Sequence, residues 1–148
     1  MSATARVDFH QVAPTEFQKL CELSGHARSS ALGPRLAELV FLRVSQINGC
    51  AYCIDMHWRS LIEEGVDPRH VNAVAGWREA SFFSERERAA LRWAELVNAI
   101  PHSEIDDREF EALKKHFSDE EIARLGFAIC AIRSWNQLNV SFRNPIPA

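Results

Sequence analysis

The longest apolar runs in the chain, Leu39–Leu42 and Phe127–Ile132, fall far short of the roughly 20 residues a membrane-crossing helix needs. No membrane span is expected. The opening residues Met1-Ser2-Ala3-Thr4-Ala5-Arg6-Val7-Asp8 have no apolar core of the kind a secretory signal carries, so a reducing cytoplasm is the expected compartment. Basic runs are missing as well. Seventeen Lys+Arg stand against twenty Asp+Glu, a formal charge of −3, and nothing in the pattern offers the electrostatic footprint of a nucleic-acid binder. The chain also lacks low-complexity segments, and its 47% hydrophobic and 25% charged residues exclude disorder and fibrous repeats. At 148 residues it suits one domain, 1–148, able to bury a core without staples.

Alternating β-branched runs are absent too, and glycine and proline punctuate the chain at about helix-length intervals, so the reading is all-α with about seven helices. A first amphipathic helix fits Pro14 to about Ala27, with Phe17, Leu20, Cys21 and Ser24 on one face. Gly33-Pro34 opens a second, to about Ile47, and Asn48-Gly49 ends it. The third starts at Cys50 and stops near Glu64, where Gly65 can turn left-handed. A short connector spans Pro68 to Trp77. Ser84 with Glu87, Asp106 with Glu109 and Ser118 with Glu121 carry the capping-box spacing and open helices to about Ile100, His116 and Val140. Short turns between successive helices suggest stacked αα-hairpins.

Of the four cysteines, Cys21 and Cys130 sit in apolar helical patterns and are expected as small core residues. Cys50 and Cys53 form a CxxC pair, and His57 follows four residues later. A helix beginning at Cys50 puts all three on one face. The helix N-terminus stabilises a thiolate, a histidine one turn on can move its proton, and a second thiol can close a disulfide on an oxidised first sulfur. The dipole favours Cys50 as the attacking thiol, whereas proximity to the histidine favours Cys53. Two other readings compete with this chemistry. The cluster could be half of a zinc site, needing Cys130 or His70 as further ligands. It could also be two apolar thiols beside an interior histidine, a reading that suits His57 alone better than the three together. His10, His26, His70, His102 and His116 stand in no constellation, and Trp58, Trp77, Trp93 and Trp135 read as core or oligomer-interface residues. Glu38 is the fourth residue of interest. A carboxylate among Leu36, Leu39, Val40, Phe41 and Leu42 needs either an ion-pair partner, from Arg43, Arg35 or an arginine of another helix, or a part in the chemistry.

The segment Glu38 to His57, with its Glu twelve residues before the CxxC and its His four residues after, resembles the signature of AhpD-like alkylhydroperoxidases in the carboxymuconolactone decarboxylase superfamily. The likeness extends through Ser84–Leu91 and Ser134–Val140. The cysteine pair places the chain on the thiol branch, since the decarboxylase branch lacks it. The resemblance implies an all-helical homo-oligomer, a trimer or hexamer, that reduces organic peroxides through a CxxC dithiol/disulfide cycle with no metal or other cofactor. Carried over by position, Cys53 is the peroxidatic thiol, Cys50 the resolving thiol, and Glu38 and His57 a proton relay. The implied partners are a hydroperoxide and a dithiol reductant such as a lipoyl protein, thioredoxin or peroxiredoxin. One position departs from the pattern: Tyr52 stands where the founding enzymes carry a histidine, and a phenol is ordinarily protonated at neutral pH and no base. A redox sensor using the same CxxC without turnover is the alternative.

Overall fold

The capping spacings seen in the sequence form as hydrogen bonds. Ser84 and Ser118 each accept from the backbone N–H three residues on, while Glu87 and Glu121 reach back to the serine N–H groups. In the computed structural model, which describes residues 4–147, the chain folds into eight α-helices with no strand among the described residues. They are α1 (Phe9–Val12), α2 (Pro14–Ser29), α3 (Pro34–Asn48), α4 (Ala51–Glu63), α5 (Pro68–Asn72), α6 (Glu85–Asn98), α7 (Asp107–Lys114) and α8 (Asp119–Ser141). A 3₁₀ turn, Ala73–Gly76, completes the connector expected over Pro68 to Trp77. The short α1 is not among the helices read from the sequence, and its Asp8 N-cap makes no side-chain bond. At α7 Asp106 does cap the Glu109 N–H, yet the box stays half made, because the Glu109 carboxylate turns to Arg92.

Helix α3 is the axis of the fold, with Leu36 to Leu42 buried without interruption and Val44 and Ser45 following. A helix apolar on every side can only be satisfied by neighbours on every side, and α2, α4, α6 and α8 supply them. One core cluster joins Ala37, Val40, Phe41 and Val44 to Ala90 and Ala94 of α6 and Leu125, Ile129 and Ile132 of α8, and it encloses Cys50 and Cys53. The other joins Leu39 and Leu42 to Leu61, Val71, Trp77 and Leu91. The cysteine pair thus lies in rigid, close-packed surroundings.

Two expectations about the core need correction. Cys21 and Cys130 are exposed. On α2 the face carrying Phe17, Leu20, Cys21 and Ser24 roofs a cleft instead of closing a core, and only Ala27 is buried. On α8 the inward stripe is Leu125, Ala128, Ile129, Ile132, Asn136 and Asn139, with Ala131 buried at one edge. At 100° per residue Cys130 lies well outside that stripe, with the exposed Phe127.

No described helix is long and apolar enough to cross a membrane. Among the tryptophans, Trp77 is buried, Trp93 and Trp135 pack at the edge of the first cluster, and Trp58 is exposed.

Candidate active site

The α3–α4 turn places the two thiols. Gly49 takes a left-handed conformation with φ 68°, which glycine adopts at no steric cost, and the Cys50 N–H closes the turn on Ser45 O at 3.1 Å. Cys50 becomes the N-cap of α4, not its first residue, and its Sγ accepts from the Cys53 N–H at 3.3 Å. Cys53 sits one turn inside. The two sulfurs are free thiols in hydrogen-bond contact, and both are buried.

Around Cys53 Sγ the hydrogen-bond donors converge. The Cys50 thiol points at it, and Asn139 Nδ2 of α8 donates to it at 3.3 Å. The Asn139 amide is in turn fixed by Asn144 Nδ2, which donates to Asn139 Oδ1 at 2.8 Å. These bonds hold Cys53 at about 6, well below an ordinary thiol: donation from Cys50 leads, burial opposes it, and Asn139, Asn136 and the nearby His57 add to the lowering. For Cys50 the direction reverses. Its proton is committed to Cys53 and burial adds to the effect, so it stays a thiol. Alkylation of Cys53 by iodoacetamide should therefore be half-maximal near pH 6, fall away as pH drops below that value, and leave Cys50 unmodified at pH 7. Peptide mass spectrometry across a pH series checks this.

Glu38, from the preceding helix, reaches the same place. Its Oε2 lies 2.7 Å from His57 Nδ1, bridging 19 residues of sequence, and both side chains are buried. Phe41 packs on the imidazole with ring centroids 5.0 Å apart. The carboxylate can only accept, so Nδ1 is assigned as the donor and the other ring nitrogen as the bare acceptor. That nitrogen, Nε2, is buried and has no hydrogen-bond partner in the protein. It belongs to a cleft of about 250 Å³ whose walls include Phe17, Phe41, Ile132 and Trp135, with Tyr52 and Met56 also on the lining and Arg28, Glu38, His57 and Asn139 among its polar groups. An unpaired acceptor at the end of an apolar cleft is ready for a ligand that brings a hydrogen-bond donor.

The ion-pair expectation for Glu38 also holds, with an arginine of another helix. Arg35 is engaged by Glu87 and Arg43 by Glu95, at 2.6 and 2.8 Å. Glu38 Oε1 pairs instead with Arg28 Nε of α2 at 3.2 Å. The grouping a zinc site would need is not formed: among the described residues no three His, Cys, Asp or Glu side chains are placed to hold an ion, and Cys130 faces solvent. Sequence reasoning missed Asn136, Asn139 and Arg28. Asn136 Nδ2 donates to Ser45 Oγ and its Oδ1 accepts from Asn48 Nδ2, both at 3.0 Å, which ties α8 to the α3–α4 turn. Two asparagines three apart on the apolar stripe of α8 were the available signal.

The residues 14–96, from α2 through most of α6, match the model of the carboxymuconolactone decarboxylase family. This stretch holds Glu38, Cys50, Cys53 and His57 in the spacing just described and covers more than half of the chain. The chain belongs to the carboxymuconolactone decarboxylase family. Within it the protein is AhpD-like. A crystal structure from Agrobacterium tumefaciens, of a protein of unknown function described as a candidate antioxidant defence protein AhpD, superposes with a TM-score of 0.92 at 38% identity, over 98% of this chain and 99% of that one. A peroxidase-related protein from Ralstonia eutropha JMP134, described as an alkylhydroperoxidase AhpD core and uncharacterized, gives 0.79 at 25% identity over 90% and 72%. The uncharacterized protein YdfG of Bacillus subtilis (strain 168) is 30% identical over 139 residues, 94% of this chain and 95% of the relative. Asn136 and Asn139 lie beyond the segment the family model matches.

Proposed function

We propose that this AhpD-like protein reduces organic hydroperoxides through a Cys50/Cys53 dithiol/disulfide cycle, with Cys53 attacking. The observation that carries the reading is the joint arrangement of a donor-stabilised Cys53 sulfur and an unpaired His57 Nε2 at the end of an apolar cleft. The Cys53 thiolate attacks the terminal oxygen of ROOH, the O–O bond breaks, and RO⁻ leaves as Cys53 becomes a sulfenic acid. His57, holding the proton received from the thiol, delivers it to the departing alkoxide to give ROH. Cys50 then attacks the Cys53 sulfur: its proton and the sulfenic hydroxyl leave as water, and the disulfide forms. A dithiol reductant, such as a lipoyl protein, thioredoxin or peroxiredoxin, returns the pair to thiols and is itself oxidised. A reducing cytoplasm would supply it. The exposed Phe127 and Trp58 suit burial in the homo-oligomer the family resemblance implies.

The burial of both sulfurs favours a second reading, a redox sensor whose oxidised pair a reductant reaches slowly. One experiment addresses both. With one equivalent of cumene hydroperoxide the four thiols per chain should fall to two, and excess dihydrolipoamide should restore them and sustain turnover. Four thiols after peroxide would refute the redox chemistry; oxidation without turnover would select the sensor.

A further inference from the structure

We infer that Arg28 is a positioning residue of this site: held on α2, it fixes and neutralises the Glu38 carboxylate that orients His57, and so keeps an uncompensated negative charge away from the Cys53 sulfur. The inference rests on the proposed relay but is tested without peroxide. Its basis is the geometry of a three-helix cluster. Arg28 Nε lies 3.2 Å from Glu38 Oε1, Glu38 Oε2 lies 2.7 Å from His57 Nδ1, and Arg28 and His57 line the same cleft. Glu38 is buried, and a buried carboxylate without a cation is costly. The other charged or titratable groups facing this cluster are Tyr52 and Cys53 on α4, Glu64 at its C-cap, Cys21 on α2 and His10 on α1; Glu64 Oε1 takes the far end of Arg28 through Nη2 at 3.4 Å.

Charge counting shows what Arg28 does. With its guanidinium in place, the Glu38 carboxylate is neutralised while it accepts from His57 Nδ1. Without it, the buried carboxylate loses its cation, and its negative charge opposes a second one on the nearby Cys53 sulfur. Thiolate formation then moves to higher pH.

Site-resolved alkylation of Cys53 against pH tests this in folded Arg28→Gln, Arg28→Lys and Glu64→Gln proteins, with fragment-ion mass spectrometry separating Cys53 from Cys50. Arg28→Gln should shift the midpoint upward by about one pH unit, and Arg28→Lys should restore most of it. Glu64→Gln loosens the same α2–α4 clasp while leaving the Glu38 pair, and should leave the midpoint in place. A merely structural Arg28 would give equal midpoints in Arg28→Gln and Glu64→Gln, or no rescue by lysine, and either result overturns the inference. Because no peroxide enters the assay, its outcome is independent of whether the protein turns over hydroperoxides.

Discussion

Cys53→Ser is expected to bring hydroperoxide consumption down to the background rate of the dithiol alone, because no other thiol shares its stabilisation by Cys50, Asn139, Asn136 and His57. Exposed Cys21 lies on the cleft wall, but burial and the neighbouring Glu22 push it up, so it remains a thiol at neutral pH. Cys50→Ser and Cys50→Ala should behave differently from Cys53→Ser and from each other. The serine hydroxyl can still donate to the Cys53 sulfur, so the first peroxide is consumed and the cycle stalls for want of a resolving thiol. Alanine removes the donor as well. Hydrogen bonds to charged groups contribute about 1.5–3 kcal/mol, so the Cys53 midpoint should rise by about one to two pH units in Cys50→Ala. Single-turnover peroxide consumption at pH 6 and pH 8 for the three proteins checks all of this; equal behaviour of serine and alanine at position 50 would show that Cys50 does not act as a donor.

Glu38→Gln should lower peroxide reactivity by about 10²-fold, the lower end of what a positioned acid–base group contributes. The amide has one acceptor and one donor where the carboxylate had two acceptors. Arg28 takes the oxygen, leaving the NH₂ to donate to His57 Nδ1, and the imidazole must switch tautomer so that Nε2 carries the hydrogen. The relay is then reversed at the atom that faces the cleft. Stability should change by less than about 1 kcal/mol, not by the roughly 3–5 kcal/mol of a stranded buried cation, because Arg28 is 41% exposed and keeps Glu64 as a partner. Thermal unfolding and peroxide kinetics on the same preparation separate the two outcomes. A strongly destabilised protein whose folded fraction reacts at the parental rate would assign Glu38 to the fold alone.

The sequence made the residues within one helix legible and left those between helices obscure. Cys50, Cys53 and His57 share a face because α-helical spacing requires it, and Glu38 stood out because seven successive buried residues leave a carboxylate no route to water. Its arginine could not be chosen from sequence: Arg35 and Arg43 are close in the chain, but the turn of α3 sends them to Glu87 and Glu95 of α6, while Arg28 arrives from α2 through packing. Asn139 was hidden for the same reason, its meaning depending on which helix α8 crosses. Cys130 was a different matter, since its position off the apolar stripe was already set by helical geometry. The contest between the dipole, which favours Cys50, and the histidine, which favours Cys53, turned on one residue of helix start. With Cys50 as the N-cap, its sulfur donates to Cys53 and accepts from the Cys53 N–H, which favours the proposed thiolate one turn further in.

The proposed chemistry is tested most directly by locating the first oxidised sulfur. Cys50→Ser and Cys53→Ser proteins are each given one equivalent of cumene hydroperoxide in the presence of dimedone, and the adduct is mapped by peptide mass spectrometry. The expected result is one adduct per chain on Cys53 in Cys50→Ser and none on Cys50 in Cys53→Ser. An adduct on Cys50, with Cys53 left unmodified in its own variant, would contradict the proposed chemistry.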